Sequence, residues 1–294
     1  MTSRFRVILA LLVSALPSLL AQSAASSLSG TVSDVSGSSI PAAQVTLTND
    51  ATAVTLRQST TGAGLFAFPA IPAGSYSLTI EKSGFKTLKR DRITVQVNTP
   101  VNLDLALSLG DSSESIIVSA SAETLQASNA ALGNVIEQKA VADLPLNGRN
   151  PLTLLVLEPG VVQRSGNTIS VNGSRSAANN VTIDGIDANE SSNPSAVNNV
   201  FRLSPDAVQE FKVTTSNATP EEGRNSGASI SIATRSGTNE LHGRAFHFFR
   251  NTALNANEFF ANAQGNQKPD IKLNQYGFEL GGPVRQNRTF FFGS

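Results

Sequence analysis

The stretch from Phe246 to Ser294 constrains the fold most. In Gln275-Tyr-Gly-Phe-Glu-Leu-Gly-Gly282 the apolar residues Tyr276, Phe278 and Leu280 recur at every second position, separated by glycine and glutamate. Successive side chains of a strand point to opposite faces, so this run has one large apolar face and one polar or very small face. Nine of the 15 phenylalanines lie from Phe246 onward. Two architectures accept such a run: an antiparallel sheet with one buried face, and a membrane barrel strand with lipid on one side and a wet lumen on the other. Alternation leaves both open. Thr289-Phe-Phe-Phe-Gly293 has the form of a further strand, and a barrel reading makes this the opening of a larger structure.

Composition agrees with strands. Only 15% of the residues are charged, and Ser, Thr, Asn, Ala and Gly are plentiful, which suits strands and turns better than long helices. A chain of 294 residues has room for two domains, each with a core. Lys plus Arg and Asp plus Glu are balanced at 22 each, without a basic cluster, so nucleic acid is not an expected partner. With no cysteine there is no disulfide framework and no thiolate metal site. The two histidines, His242 and His247, are too few for a His/Glu/His zinc cluster. No phosphate-cradling loop, nucleophile elbow or paired carboxylates stand out. The expectation is therefore no catalytic residues, no metal and no cofactor.

The N-terminus predicts export. Arg4 and Arg6 precede an apolar run from Val7 to Leu16, followed by Pro17 and small residues up to Ala25, the plan of a secretory signal peptide over residues 1–25. The apolar run is too short for the ~20 residues of a spanning helix. Cleavage near Ser23 or Ala25 leaves 20 basic and 22 acidic residues.

Residues 26–108 break into seven short β-prone runs: 28–33, 44–48, 54–60, 65–68, 75–82, 87–97 and 101–107. Gly62, Gly64, Pro72, Gly74 and Gly84 lie between or at the ends of them, where the chain must reverse. Tyr76-Leu78-Ile80, Ile93-Val95-Val97 and Leu103-Leu105-Leu107 each direct apolar side chains to one face, which predicts a sandwich core. Ser29-Gly-Thr-Val-Ser-Asp34, Ile40 to Leu47, Gly64-Leu-Phe-Ala-Phe68 and Ile71 to Ile80 resemble the carboxypeptidase regulatory-like domain. That resemblance implies a transthyretin-like (prealbumin-like) β-sandwich of the carbohydrate-binding-like fold, without catalytic groups of its own. Phe66, Phe68 and Tyr76 read either as core or as a sugar-stacking platform.

From residue 109 to 128 the composition turns to Asp, Ser, Glu and Ala, which predicts a linker. Within it Glu114, Ser115, Ile116, Ile117, Val118, Ser119 and Ala120 form a short β-prone run able to add to the edge of another sheet. The run resembles a TonB box. That resemblance implies binding to a TonB-type periplasmic energy-coupling protein.

Residues 129–238 carry Val135 to Asn150, with Asn147-Gly148-Arg149-Asn150, then Ile169 to Arg175, with Asn172, Gly173 and Arg175, then Asn179 to Asp187, with Asp184 and Gly185. Pro205 to Val213, Glu222 to Ile232 and Thr234 to Gly243 follow in order. These motifs resemble the plug of a TonB-dependent receptor of the Oar-like branch, an α+β domain. Residues 239–294 resemble the first strands of its outer-membrane β-barrel, here incomplete. Asp184-Gly-Ile-Asp187 reads as a strand end and turn, since EF-hand ligand spacing is absent. Arg149, Arg175, Arg224 and Arg235 read as surface arginines or as partners for carboxylates on a barrel wall.

The expected fold is thus mainly β: sandwich, α+β plug, and the first strands of a transmembrane barrel. The implied function is energy-coupled uptake of a bulky ligand (a glycan, a peptide or protein, or a metal complex) across the outer membrane of a Gram-negative-type bacterium, without enzymatic chemistry. Lipid would surround the full barrel. The alternative is a secreted or surface-attached carbohydrate-binding adhesion protein, and a carboxypeptidase with an accessory sandwich lacks its metal ligands.

Overall fold

The computed structural model describes residues 25–111, 115–117, 131–144, 146, 148–164, 168–190, 192, 195–197, 203–222 and 226–294. Residues 1–24 of the expected signal segment lie outside the described residues, and Ala25 is the first residue of the first strand. Residues up to Arg235 and from Ser236 onward form two compact units.

In the first unit the N-terminal strands are β1 (Ala25–Asp34), β2 (Gln44–Asn49), β3 (Thr55–Ser59), β4 (Leu65–Pro72), β5 (Gly74–Glu81), β6 (Thr87–Val95), β7 (Val101–Leu107) and β8 (Ser115–Ile117). They make two sheets, in the orders β4-β1-β7 and β3-β2-β5-β6-β8. The period-two pattern dictates what lies between them. Leu28, Val32, Val45, Leu47, Leu78, Ile80, Leu103 and Leu105 all turn inward and are buried. Phe66, Phe68 and Tyr76 are 3%, 5% and 3% exposed, so they are core and not an open stacking platform. Gly30 is the tightest point of the small sheet. A Cβ there would run into the Leu103 carbonyl and stand 2.9 Å from the Phe66 ring, so β1 passes between β4 and β7 only because the residue is glycine.

The same unit continues with a central domain. Its elements are β9 (Leu132–Glu137), helix α1 (Gln138–Asp143), a 3-10 turn (Pro151–Leu157), the hairpin β10 (Val161–Arg164) and β11 (Thr168–Val171), β12 (Asn180–Ile183), β13 (Ile186–Asp187), β14 (Val208–Ser216) and β15 (Ser229–Thr234). The order in the main sheet is β13-β12-β15-β14-β9, with β12 and β15 parallel and the other neighbours antiparallel. Alternation in Val208 to Thr214 sends Phe211 and Val213 to an apolar core with Leu152, Leu155, Ile169, Ile230 and Ile232. Glu210, Lys212 and Thr214 alternate with them and are buried as well. The sheet is covered on both sides, and the second cover is polar.

The second unit is an antiparallel sheet of three strands, β16 (His242–Asn251), β17 (Lys272–Arg285) and β18 (Thr289–Gly293), with a short helix α2 (Phe259–Ala263) between β16 and β17. Tyr276 and Phe278 are 80% and 71% exposed, and Leu280 is exposed beside them, whereas Glu279 and Gly281 on the opposite face are buried. In an ordinary one-faced sheet the large apolar residues would be the buried set. The side chains of this run are arranged the other way round.

Candidate functional site

Three features of the first unit bear on function: the segment at the sandwich edge, the motif turns of the central domain, and the polar seam between sandwich and sheet.

Of the candidate partner segment, Ser115, Ile116 and Ile117 are described, and Glu114, Val118, Ser119 and Ala120 lie outside the described residues. The three form β8, which runs parallel to β6 with Ser115 opposite Thr87, Ile116 opposite Leu88 and Ile117 opposite Lys89. A stretch whose composition reads as a linker is thus the edge strand of the larger sandwich sheet.

The motif turns are held by one another. Asn147 lies outside the described residues. Gly148 has φ +82°, and the Arg149 amide donates to the Leu146 carbonyl at 3.2 Å, closing a tight turn whose third position needs that φ. Asn150 then caps the 3-10 turn: its Oδ1 accepts from the Leu152 amide at 3.1 Å, and its Nδ2 donates to the Val197 carbonyl at 3.0 Å. The Arg149 guanidinium reaches back to the Asp206 carboxylate, and both side chains are largely buried. The Asp206 carbonyl in turn accepts from Arg235 Nη1 at 3.2 Å. Arg149 therefore finds its carboxylate within this domain, not on a barrel wall.

Asp184 and Gly185, at φ +50° and +82°, are the two residues of a type I′ turn joining β12 to β13. The Asp184 carboxylate accepts from the Thr234 amide at 2.9 Å and from the Thr234 hydroxyl at 2.6 Å, so it ties the turn to the end of β15 and is no open ligand set. Asn172 and Gly173 form a second left-handed pair after β11, and Asn172 Nδ2 donates to the Thr215 carbonyl at 2.9 Å. Arg175 is exposed at the start of a short 3-10 turn. Arg224 lies outside the described residues. Among the described residues no group of three or more His, Asp or Glu side chains is placed to hold a metal.

The polar seam escaped the sequence reading. The Val97 amide donates to the Glu210 carboxylate, Lys212 Nζ donates to the Asn98 carbonyl at 2.7 Å, and Asn98 Nδ2 donates to the Ser231 hydroxyl at 2.9 Å. Gln209 Nε2 adds a bond to the Ala73 carbonyl at 3.2 Å. Lys212 is only 1% exposed, and Glu222 stands 3.7 Å from its ammonium. Burial pushes the Glu210 carboxyl above its usual range, with Glu137 across the strand pair adding to the shift and the Val97 amide opposing it. Burial pushes the Lys212 ammonium down, against the pull of Glu222. The one signal available in sequence was the alternation itself, which sets Glu210, Lys212 and Thr214 on the face opposite Phe211 and Val213.

Residues 27–108 match the family described as the carboxypeptidase regulatory-like domain, and residues 233–294 match the outer membrane beta barrel domain. The chain is accordingly an outer-membrane protein that joins a regulatory-like β-sandwich to outer-membrane barrel sequence. Among characterised proteins it is similar to the TonB-dependent transporter Oar of Myxococcus xanthus, 30% identical over 281 residues. That match takes in 91% of this chain and 26% of Oar, so the chain spans about a quarter of the relative's length. Among solved structures it is similar to the siderophore receptor PirA of Acinetobacter baumannii (18% identity, 57% of this chain and 24% of that one, TM-score 0.41). It is also similar to the ferric enterobactin receptor PfeA of Pseudomonas aeruginosa (15% identity, 52% and 22%, TM-score 0.38). Over most of its length the chain is thus similar to about a quarter of a TonB-dependent transporter's length, joined from two recognised domain types.

Proposed function

We propose that this chain is the entry portion of a TonB-dependent receptor that takes a bulky ligand across the outer membrane with energy delivered from the periplasm. Residues 129–238 act as the plug, residues 239–294 are the first barrel strands, and Glu114 to Ala120 is the segment grasped by a TonB-type protein. No covalent chemistry is involved. The observation that carries the reading is the outward aromatic face of β17, because Tyr276 and Phe278 face solvent over a face that carries the small and polar residues. The motif turns of the central domain support it. Asn150, Asn172 and Asp184 bond chain segments far apart in sequence, as a domain enclosed in a wet lumen requires for its own cohesion. The ligand belongs to one of three classes: glycan, peptide or protein, or metal complex. Burial of Phe66, Phe68 and Tyr76 takes from the adhesion alternative the aromatic platform it needed.

The decisive measurement is the affinity of the exported chain for the purified C-terminal domain of a TonB protein. Ile117→Pro deletes one backbone donor from a contact made of main-chain bonds, and is expected to weaken binding at least about tenfold. Equal affinities of wild type and variant would reject Glu114 to Ala120 as the contact segment.

A further inference from the structure

We infer that the outer edge of β6 is a storage site for Ser115–Ile117, so that the sandwich and the periplasmic partner compete for one strand. The inference rests on the reading of Glu114 to Ala120 as the TonB-contact segment. The path of the chain leads the strand there. After β7 it leaves the smaller sheet and crosses to the larger one, with Phe85 bridged to Leu109, the Lys86 amide donating to the Ser108 carbonyl at 2.9 Å and the Gly110 amide donating to the Gly84 carbonyl at 3.2 Å. Ser115–Ile117 then lies along Thr87–Lys89. On its other side β6 is paired to β5, so β8 caps what would otherwise be an open row of backbone donors and acceptors.

A sheet edge accepts any extended segment, because recognition is by main-chain groups, and the same property lets a TonB-type domain accept this one. Within a strand the N–H and C=O groups of successive residues point alternately to the two sides. While docked, Ser115–Ile117 thus spends about half of its main-chain groups on β6 and offers a partner only the rest. A partner that adds to the edge now paired with β6 must first take the segment off the sandwich. The ladder suits exchange, since it is parallel, three residues long and at an edge. On this reading the sandwich holds the contact strand out of reach until it is released.

The test uses the absence of cysteine from the chain. Lys89 and Ile117 are register partners, and neighbouring strands lie within the ~4.4–6.8 Å Cα separation that a disulfide spans. The double variant Lys89→Cys/Ile117→Cys locks β8 to β6 on oxidation and frees it on reduction, and Ile117→Cys alone reports the effect of the substitution itself. The probe is the purified C-terminal domain of a TonB protein. The oxidised double variant is expected to bind it at least about tenfold more weakly than the same protein after reduction. Failure of the disulfide to form in the folded chain would remove the docking. Equal affinity before and after reduction would mean that the partner adds to the free edge of β8, which overturns the competition and leaves the contact segment standing. No binding by wild type or by the reduced variant would overturn the contact segment and the storage site together.

Discussion

At the scale of single residues, the motif side chains work on the domain that carries them. Arg149, Asp206 and Arg235 come from three separated motifs and converge on one buried knot. Removing one member of a buried pair strands the other charge, which costs about 3–5 kcal/mol. Arg149→Ala is therefore expected to lower the urea midpoint of the purified chain clearly, while substitution of the exposed Arg175 leaves it within experimental error. If both arginines served only a barrel wall, neither change would move the midpoint. Glu210 gives a prediction of pH dependence. Its folded pKa is raised, so its contribution to stability is fully present below the unfolded glutamate range and is lost as pH rises through the folded value. Wild type should gain stability relative to Glu210→Gln as pH falls from neutrality into the ordinary glutamate range, read from denaturation midpoints at each pH. A constant difference between the two proteins would show that Glu210 is not held in an uncharged-favouring environment.

At the scale of elements, what could be read beforehand follows from period two. All seven sandwich runs are strands, and the inward faces Tyr76-Leu78-Ile80 and Leu103-Leu105-Leu107 are buried, whereas β3 is exposed along its whole length. Asp184-Gly185 is the turn its residue types suggest, because only a few residues tolerate two successive positive φ values. β8 was not legible as part of the sandwich. Its three residues carry the same β-propensity whether they dock on β6, join another protein or lie in a linker, and the choice depends on an edge supplied by residues 87–89. The polar seam was hidden for a similar reason. Glu210 and Lys212 look like an ordinary solvated strand face until the turn after β6 brings Val97 and Asn98 against them.

At the scale of the whole molecule, the seam joins sandwich and central domain within one unit, while residues from Ser236 onward form the other. A protease cut between residues 118 and 130 should leave the sandwich and central-domain pieces associated, detected as co-elution in size exclusion, because the bonds from Glu210, Lys212 and Asn98 cross between them. The second unit should behave oppositely. With Tyr276, Phe278, Phe259 and Phe260 exposed, residues 242–293 are expected to aggregate or be digested early in water and to gain protection in detergent micelles. Resistance to protease as a water-soluble monomer would remove the lipid-facing reading.

The sequence by itself determined the strand-rich fold class, the period of each strand, the glycine-dependent turns and the resemblance to TonB-dependent receptors. The first three follow from backbone geometry acting on neighbouring residues, and the resemblance from the motifs and their order along the chain. Tertiary structure alone decided that the polar face of β14 is covered, where Ser115–Ile117 docks, and that Arg149 pairs with Asp206. Those outcomes depend on groups brought together from distant positions, and neither desolvation nor hydrogen-bond satisfaction is a local property of the chain.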